Sequence, residues 1–291
     1  MAGVTPALKN YIDVFRCPVC GQKMAEEGLK RVFCLKGHSF DLSKDGYVNL
    51  LSQQVKTGYN KKMFAARRRI CVGGFYNPLI RLIKRYVVNN ATGYKLSDLP
   101  LLDVGCGEGS HLARLVAGLA EEDGILAQGV GIDIAKEGVR MAAKYYAGLI
   151  WCVGNLAEMP FVGESFPVLL NIMSPANYTE FNRIMRKDGL MVKVLPGNRY
   201  LAELREALYH DTALQTYSNR ETAWLFKDNF NLLEMRQIHY KVKLNPDNLE
   251  PLLNMTPLVW GASRQAVERF AASGLTEITA DFTVMAGRKK R

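Results

Sequence analysis

The sequence of 291 residues predicts an α/β protein, in which a doubly wound parallel sheet follows a small metal-binding module. Three observations support this prediction. Short apolar runs alternate with amphipathic stretches from about Leu99 onward, which is the pattern of consecutive βαβ units. A glycine-rich turn follows the first apolar run, at the position where such sheets bind nucleotides. Three cysteines and a histidine lie close together near the N-terminus, which is typical of a metal site.

The composition is that of a globular protein. With 48% hydrophobic and 23% charged residues, disordered and collagen-like chains are excluded. No apolar run of about 18 residues is present, and the N-terminus lacks a basic segment followed by an apolar one. We therefore expect no membrane span and no signal peptide, and a cytoplasmic location. In that compartment the six cysteines are more typical of metal ligands or reduced core thiols than of disulfides.

The N-terminal module, residues 1–45, pairs Cys17 with Cys20 and Cys34 with His38 at spacings C-x2-C and C-x3-H. Two tight turns joined by a short hairpin would bring these four ligands to one tetrahedral point, which is the coordination of structural zinc. The protein fills all four positions, so the ion is expected to be structural and not catalytic. A module of this size buries too little surface to be stable alone, and the metal is expected to supply much of its folding free energy.

The large domain, residues 98–291, carries the alternating pattern. Strands are predicted at residues 101–104, 129–134, 150–153, 168–173 and 190–195, with helices at residues 110–121 and 136–146. Two further β-like runs, at residues 238–244 and 278–285, are expected to add strands at one edge of the sheet.

The turn after the first predicted strand reads Asp-Val-Gly-Cys-Gly-Glu-Gly-Ser over residues 103–110. Glycines such as Gly105 and Gly107 allow a ligand to approach the backbone closely. Their spacing, G-x-G-x-G, differs from the G-x-G-x-x-G that places a pyrophosphate on a helix N-terminus. The flanking acids Asp103 and Glu108 would repel phosphates but suit a cationic ligand with a sulfonium or amino group. We therefore predict S-adenosylmethionine in preference to NAD or FAD.

Four further side chains extend this prediction. Asp133 ends the second predicted strand, where a carboxylate can accept both hydroxyls of a ribose, although the helix dipole alone also stabilises an acid at that place. Asn155 follows the third strand, where it could bind an adenine amino group. Asn177 and Tyr178 follow the fourth strand, at the edge expected to face the methyl acceptor, although a turn and a helix cap explain them nearly as well.

The net charge of +10 is concentrated in one segment. Residues 46–97, predicted as a basic helical connector, contain ten Lys and Arg residues and no Asp or Glu, which equals the whole surplus. A basic segment beside a neutral body is typical of a surface that binds a polyanion, although a solvated helix without acids is the alternative interpretation. The candidate RNA contacts in this segment are Lys61, Lys62, Arg67, Arg68 and Arg69.

Six motifs, in order along nearly the whole chain, match those of a known family. They read Cys-Pro-Val-Cys at residues 17–20, Gly-His-Ser-Phe-Asp at 37–41, Lys-Asp-Gly-Tyr-Val-Asn-Leu-Leu at 44–51, the glycine-rich turn, Pro-Gly-Asn-Arg-Tyr-Leu at 196–201 and Met-Thr-Pro at 255–257. With this set the chain closely resembles the bacterial 23S rRNA (guanine-N1)-methyltransferases. The resemblance implies a class I (Rossmann-like) methyltransferase sheet, S-adenosylmethionine as methyl donor and a guanine in a hairpin loop of 23S rRNA as acceptor.

The resemblance also implies roles for particular residues. The zinc ligands correspond to Cys17, Cys20, Cys34 and His38. The cofactor contacts correspond to Tyr76, Gly107 and Glu108, and Tyr200 stands where the family has a histidine, so that an aromatic face and a hydrogen-bonding tip are kept. Members are expected to act as homodimers with a basic cleft between the subunits. They modify one of two neighbouring guanines, in some cases with a link to macrolide resistance.

Methyl transfer from a sulfonium is an in-line displacement, to which positioning contributes most. The proton on guanine N1 must leave before or during attack, and the sequence does not identify the base that removes it. The target base must also leave its stack, and Tyr76, Tyr178 and Tyr200 are candidate stacking faces, with core packing as the alternative for each. Two other functions stay open from the residues: a small-molecule methyltransferase whose zinc module is only structural, and a non-catalytic RNA-binding protein.

Overall fold

The computed structural model describes residues 6–290, apart from 29, 52, 54, 56, 91–99, 211 and 213–216. The N-terminal module begins with helix α1 (Pro6–Asn10) and contains an antiparallel sheet of three strands, β1 (Met24–Glu27), β2 (Arg31–Cys34) and β3 (Ser39–Asp41). Met24 pairs with Cys34, so the turn before β1 and the turn between β2 and β3 lie at the same end of this sheet. Those two turns hold the two predicted pairs of metal ligands.

The predicted basic connector contains two helices and one strand. The helices are α2 (Lys61–Val72) and α3 (Asn77–Asn90), and the strand is β4 (Tyr47–Asn49). The connector therefore contributes a short strand that its sequence did not predict, as well as the predicted helices. Lys56 and Lys95, which belong to the basic segment, and the predicted boundary at residue 97 lie outside the described residues.

The large domain alternates strands and helices as predicted. In chain order its elements are β5 (Leu101–Val104), α4 (Ser110–Asp123), β6 (Gly129–Asp133), α5 (Lys136–Tyr145), β7 (Ile150–Val153), β8 (Phe166–Ile172), α6 (Tyr178–Ile184), β9 (Met185–Pro196), α7 (Ala202–Tyr209), α8 (Arg220–Asn229), β10 (Phe230–Lys243), α9 (Pro246–Met255), α10 (Arg264–Ala271) and β11 (Glu277–Lys289). All five predicted central strands and both predicted helices are confirmed.

Eight strands form the large sheet in the order β10-β11-β9-β8-β5-β6-β7-β4. The six strands from β4 to β9 are parallel, and Tyr47 of β4 pairs with Trp151 of β7 at one edge. At the other edge β11 pairs antiparallel with β9, and β10 pairs antiparallel with β11. The two C-terminal β-like runs therefore extend the sheet at one edge, as expected.

Hydrophobic side chains fill both faces of this sheet. Leu101 and Leu170 point into one face, where α3, α4, α5, α7, α9 and α10 pack, while Leu102 and Leu169 point into the other, where α6, α8 and the N-terminal module pack. Burial on both faces explains why these strands read as continuous apolar runs. The module is anchored to its face by Phe15, whose ring centroid lies 5.2 Å from that of Phe161.

Candidate active site and metal centre

The four predicted metal ligands converge at one end of the N-terminal module. Their ligand atoms all lie within 4.8 Å of one another. Cys20 Sγ lies 3.6 Å from Cys34 Sγ, and His38 Nδ1 lies 3.6 Å from Cys17 Sγ and 3.4 Å from Cys34 Sγ. Zinc in a tetrahedron of sulfur and nitrogen ligands holds neighbouring ligand atoms about 3.5–3.8 Å apart, so this set fits a four-coordinate zinc ion. Because protein atoms fill every position, the ion is structural.

The glycine-rich turn links β5 to α4 at the carboxyl edge of the parallel strands. Gly105 and Gly109 have φ values of +80° and +84°, in the left-handed region that favours glycine. A Cβ on Gly105 would overlap Ser174 Oγ, and a Cβ on Gly109 would lie 2.6 Å from Trp151 Cη2. The missing side chains therefore allow the turn to lie directly against Ser174 in the loop that follows β8 and against Trp151 of β7.

Asp103, at the carboxyl end of β5, has the side chain that most clearly indicates a ligand at this turn. It is 1% exposed, and neither carboxylate oxygen has a hydrogen-bond partner among the described residues. Burial, together with repulsion from Asp133 and Glu108, raises the pKa of this carboxyl to about 8. A buried and unpaired carboxylate is costly, and a cationic ligand with N–H donors removes that cost. The position therefore fits the amino group of the predicted S-adenosylmethionine.

Asp133 and Glu108 hold the shape of the turn. The two carboxylate oxygens of Asp133 accept hydrogen bonds from the backbone N–H groups of Gly107 and Ala135, both at 2.8 Å. Glu108 is 2% exposed and accepts a hydrogen bond of 2.7 Å from the Ser110 hydroxyl. Burial raises the pKa of both carboxyls, that of Glu108 to about 7. Each Asp133 oxygen has a second lone pair, so the predicted ribose contact is compatible with this role.

Tyr76 and Tyr200, singled out by the family resemblance, meet beside the first turn of α4. Their hydroxyl oxygens lie 3.0 Å apart. Tyr76 also packs edge-on against His111 of α4, with ring centroids 4.8 Å apart, and its hydroxyl lies 3.8 Å from Met255 Sδ. Burial raises the pKa of Tyr200 to about 12, so both phenols stay protonated at neutral pH. The phenol that stands in place of the family's histidine is therefore held by a hydrogen bond to Tyr76.

Comparisons with known proteins agree with this geometry. Residues 15–58 match a zinc-ribbon family model described as "RlmA, N-terminal", and residues 95–234 match a model described as "Methyltransferase domain". The Bacillus subtilis (strain 168) protein YxjB, provisionally named a 23S rRNA (guanine-N1)-methyltransferase, is 38% identical over 97% of this chain and 100% of its own. A 23S rRNA (guanine(748)-N1)-methyltransferase of Streptomyces fradiae is 28% identical over 94% of this chain and 96% of its own. The chain belongs to the 23S rRNA (guanine-N1)-methyltransferase family.

A solved structure shows the fold as well. A protein of Anaeromyxobacter dehalogenans, provisionally identified as a type II methyltransferase, matches 72% of this chain and 95% of its own with a TM-score of 0.50 and 17% identity. Our chain is accordingly an S-adenosylmethionine-dependent methyltransferase of the class I fold, with a zinc ribbon at its N-terminal end. Among the described helices, none combines the length and the apolar character that a membrane span requires.

Helix α2 of this methyltransferase does not present its three arginines on one outward face. Arg67 Nη2 donates a hydrogen bond of 3.4 Å to Met255 O, and Arg67 Nη1 lies 3.5 Å from the position of a Cβ on Gly107. The Arg68 guanidinium lies over the Tyr145 ring, 3.6 Å from its centroid. Consecutive residues point in directions about 100° apart on a helix, so a run of three cannot share one face. Arg67 and Arg68 therefore make contacts within the protein, and the phosphate contacts predicted for them stay predictions.

Three cations of α2 do point to solvent, and we call Lys61, Lys62 and Arg69 the outer cations. Acids from other parts of the chain approach the basic segment. Glu250 lies 3.9 Å from Lys62 Nζ, with both side chains exposed. Lys84 Nζ lies 2.5 Å and 2.9 Å from carboxylate oxygens of Glu122 and Asp123. The segment is therefore less basic in three dimensions than along the chain, and the RNA contact of the outer cations stays a prediction.

Asn155 and Asn177 serve local structure. The exposed Asn155 accepts a hydrogen bond of 3.0 Å from the Ala157 N–H through its side chain. Asn177 accepts one of 3.1 Å from the Glu180 N–H and so caps α6. The helix cap, which was the alternative interpretation of Asn177, is confirmed. The adenine contact of Asn155 stays a prediction.

The three predicted stacking tyrosines are packed against the protein. Tyr76 is 4% exposed, so the prediction of a stacking face is wrong there, because its ring packs against His111 of α4 and Phe282 of β11. The Tyr178 hydroxyl is buried without a hydrogen-bond partner among the described residues, and its ring lies 5.8 Å from that of Phe181. Tyr200 donates to or accepts from Tyr76, and its ring lies 5.2 Å from that of Phe282.

Lys193, which β9 places beneath the loop after β8, is a buried cation that the sequence motifs did not predict. It is 1% exposed, and its ammonium donates hydrogen bonds to Asn171 Oδ1 and, at 2.7 Å, to Ser174 O. Asn171 Nδ2 in turn donates a hydrogen bond of 2.8 Å to Val104 O. Burial lowers the pKa of Lys193 to about 8. A lysine inside an apolar run of β9 was the signal available in the sequence.

Asp281 of β11 is a second residue that the sequence did not reveal. It is fully buried, and its carboxylate accepts hydrogen bonds of 2.8 Å from the Arg199 N–H and 3.1 Å from Gln237 Nε2. These bonds fix the segment that leads from β9 to Tyr200. In the sequence, Asp281 could have been recognised as an acid within the apolar run of β11.

Proposed function

We propose that this methyltransferase transfers a methyl group from S-adenosylmethionine to N1 of a guanine in a hairpin loop of 23S rRNA. The observation that carries the proposal is the buried Asp103 carboxylate, which has no hydrogen-bond partner among the described residues, beside a glycine-rich turn. The names of the B. subtilis and S. fradiae relatives support 23S rRNA as the acceptor. A small-molecule acceptor would leave the zinc ribbon and the outer cations without a role.

S-adenosylmethionine supplies an electrophilic methyl group on a sulfonium. The Asp103 carboxylate would accept hydrogen bonds from its amino group, and Asp133 would accept those of its ribose while it holds the turn. Arg67 counters the negative charge of this cluster, since its guanidinium lowers the pKa values of Glu108 and Asp133 against the opposing effect of burial. Phe64, 1% exposed, lies beside Gly107 and excludes water from the turn.

On the acceptor side, methyl transfer depends on how the guanine is positioned. An in-line displacement requires the guanine to stand close to the methyl group along the bond that breaks. A base in a hairpin loop reaches that position at low cost, because it is unpaired and already weakly stacked. The outer cations would bind phosphates of the same loop. The zinc ribbon packs on the opposite face of the sheet and would contact another part of the hairpin.

The proposal is tested with purified protein, a transcript of a 23S rRNA hairpin and isotopically labelled S-adenosylmethionine. We expect one guanine to acquire the label at N1, which blocks Watson–Crick pairing and stops reverse transcription at that base. Asp103→Asn is expected to remove the activity. In cells, loss of the protein should remove N1-methylguanine from 23S rRNA. Labelling of small molecules without labelling of RNA would favour the small-molecule alternative, and RNA binding without any cofactor binding would favour a non-catalytic binder.

We also propose that the methyltransferase is a cytoplasmic homodimer. The resemblance to a family whose members act as dimers supports the assembly, and an rRNA acceptor supports the location. Light scattering coupled to size-exclusion chromatography should give twice the chain mass of 32.6 kDa. A mass that stays at one chain across the micromolar range contradicts the dimer without affecting the proposed reaction.

A further inference from the structure

Two exposed aromatic side chains lie together at the N-terminal end of α2. Tyr59 is 40% exposed and Trp260 is 53% exposed, and their ring centroids lie 5.6 Å apart with planes inclined by 55°. They come from distant parts of the chain, since Tyr59 precedes α2 and Trp260 follows α9. Large apolar side chains usually bury their rings, so two that share an exposed site call for a ligand.

The pair connects the surface to the glycine-rich turn at residues 103–110, which we call the cofactor turn. The Tyr59 ring lies 6.0 Å from the ring of Phe64, and Phe64 Cε1 lies 3.6 Å from the position of a Cβ on Gly107. A row of three rings therefore runs from Trp260 through Tyr59 and Phe64 to the glycine-rich turn. A ligand that lies on the exposed end of this row lies next to the place where S-adenosylmethionine is proposed to bind.

The loop that carries Trp260 is held in place. Tyr209 donates a hydrogen bond of 2.6 Å from its hydroxyl to Leu258 O. Arg67 donates one of 3.4 Å to Met255 O at the end of α9. A Cβ on Gly58 would lie 3.3 Å from Trp260 Cζ3, so the segment before α2 packs closely against the indole. Because both ring positions are set before binding, little side-chain entropy is lost when a ligand stacks on them.

The charged residues around Tyr59 and Trp260 indicate the class of ligand that the two rings would bind. Lys61 and Lys62 follow Tyr59 within three residues and are exposed, and residues 256–263 around Trp260 contain no Asp or Glu. Glu250 lies 3.9 Å from the Lys62 ammonium, with both side chains exposed, so it offsets part of this charge and leaves Lys61 without an opposing acid among the described ion pairs. Exposed rings flanked by cations form the combination that proteins use for single-stranded nucleic acid, in which the rings stack on bases and the cations bind phosphates.

We propose that Tyr59 and Trp260 form a stacking platform for an unpaired nucleobase of the substrate RNA, beside the base that is methylated. This inference rests on the proposed RNA acceptor and adds the residues that receive the loop. It also replaces the buried Tyr76 as a stacking face. The rings act by contact with a base and take no part in the chemical step.

The test compares the Trp260→Ala variant with the wild-type protein, using a 23S rRNA hairpin transcript and a fully paired duplex of equal length. Removal of one stacking ring is expected to weaken hairpin binding by roughly 5- to 100-fold. The dependence on salt should be unchanged, because no charge is removed. Binding of the duplex and of S-adenosylmethionine should also be unchanged, since neither requires an unstacked base on the platform.

Trp224→Ala is the matched control. Trp224 is 61% exposed, but it lies on α8, which packs on the other face of the sheet. This variant should bind the hairpin like the wild type. Trp260→Phe should retain most of the affinity because a phenyl ring still stacks, and Tyr59→Leu should weaken binding as Trp260→Ala does.

Fluorescence provides a measurement that leaves the platform intact. In a Trp224→Phe protein the remaining tryptophans are Trp260 and Trp151, and Trp151 is 1% exposed. Addition of the hairpin should quench the emission of Trp260 and protect it from acrylamide, whereas the duplex should do neither. Acrylamide protection that depends on protein concentration in the absence of RNA would instead assign the pair to a contact between two copies of the chain and overturn the proposal.

The outcomes separate this inference from the proposed function. Wild-type protein that methylates the hairpin, together with a Trp260→Ala variant that binds it within twofold of the wild type, refutes the platform alone. Wild-type protein that neither binds nor methylates the hairpin refutes both. If Trp260→Ala does not fold, the quenching experiment and Tyr59→Leu decide the question, since hairpin binding by Tyr59→Leu within twofold of the wild type also refutes the platform.

Discussion

The Asp103→Asn variant tests the central electrostatic feature of the cofactor turn. The carboxyl is 1% exposed, and burial near two other acids raises its pKa from 3.8 to about 8. In the unfolded chain it ionises near pH 4, whereas in the cofactor-free folded protein it keeps its proton until about pH 8. The folded state therefore binds more protons than the unfolded state in this window, and stability falls as pH rises through it.

The size of the effect follows from the pKa difference. Each pH unit inside the window costs the folded wild-type protein about 1.4 kcal/mol relative to a variant that cannot ionise. Between pH 6 and pH 8 the variant should therefore gain about 2 kcal/mol in the free energy of unfolding over the wild type, which corresponds to roughly 3 °C in Tm for a chain of this size. Glu108 and Asp133 are present in both proteins, so their titration largely cancels in the difference.

Differential scanning calorimetry from pH 5 to pH 9 measures this difference, with and without S-adenosylhomocysteine. We expect the Tm difference between the two proteins to widen steadily from pH 5 to about pH 8 and to stay constant above that. Added ligand should stabilise only the wild type, because the carboxylate that receives the ligand's amino group is absent from the variant. Parallel curves across the whole range would refute the buried, unpaired state of Asp103. Equal stabilisation of both proteins by the ligand would refute its place in the cofactor site.

Three further predictions concern RNA binding, zinc and the glycine turn. Replacing all three outer cations by alanine should make the slope of log affinity for the hairpin against log salt concentration shallower by about 2. This value assumes a contribution of about 0.7 for each phosphate that is no longer neutralised. An unchanged slope in binding titrations would exclude phosphate contacts at these residues. Cys17→Ser should lose the zinc ion in elemental analysis and lower the Tm of the ribbon, while a wild-type protein purified without zinc would contradict the metal centre. Gly109→Ala should destabilise the fold by several kcal/mol in denaturant unfolding, since its Cβ would lie 2.6 Å from Trp151 Cη2. Gly148→Ala is its control, because φ is also positive there, +96°, but no atom lies within 4 Å of the added Cβ, so only about 1 kcal/mol of backbone strain is expected.

The sequence predicts the central sheet well because its strands are buried on both faces. Ile150 to Val153 reads as an uninterrupted apolar run between turn signals, and Leu101 to Val104 as one interrupted only by Asp103; the bounds of both are correct. The three residues of β4 could not be found this way. Tyr47–Asn49 is too short to show a period, and its partner strand β7 lies about 100 residues further along the chain.

The two chemical motifs are local, and this is why sequence alone locates them. The zinc ligands lie in two short turns, and Asp103 and Glu108 flank a single turn, so each pattern can be seen in a short stretch of sequence. The orientation of α2 cannot be predicted in this way, because it depends on how the helix is rotated against the large domain. Only the folded chain shows that Arg67 faces the acids of the turn and that Tyr59 meets Trp260.

The concentration of positive charge between residues 46 and 97 would have two physical uses under the proposed function. The cofactor turn gathers three carboxyls, Asp103, Glu108 and Asp133, and Arg67 offsets part of their mutual repulsion. The outer cations on the same helix are exposed, where they could meet phosphates without weakening that balance. Under the proposed function, one helix would serve both binding sites through different faces. A substitution that tilts α2 should disturb cofactor binding and RNA binding together. Truncation of an outer cation should change RNA binding alone. Comparing the two kinds of variant therefore separates contacts made by α2 from effects transmitted through the helix.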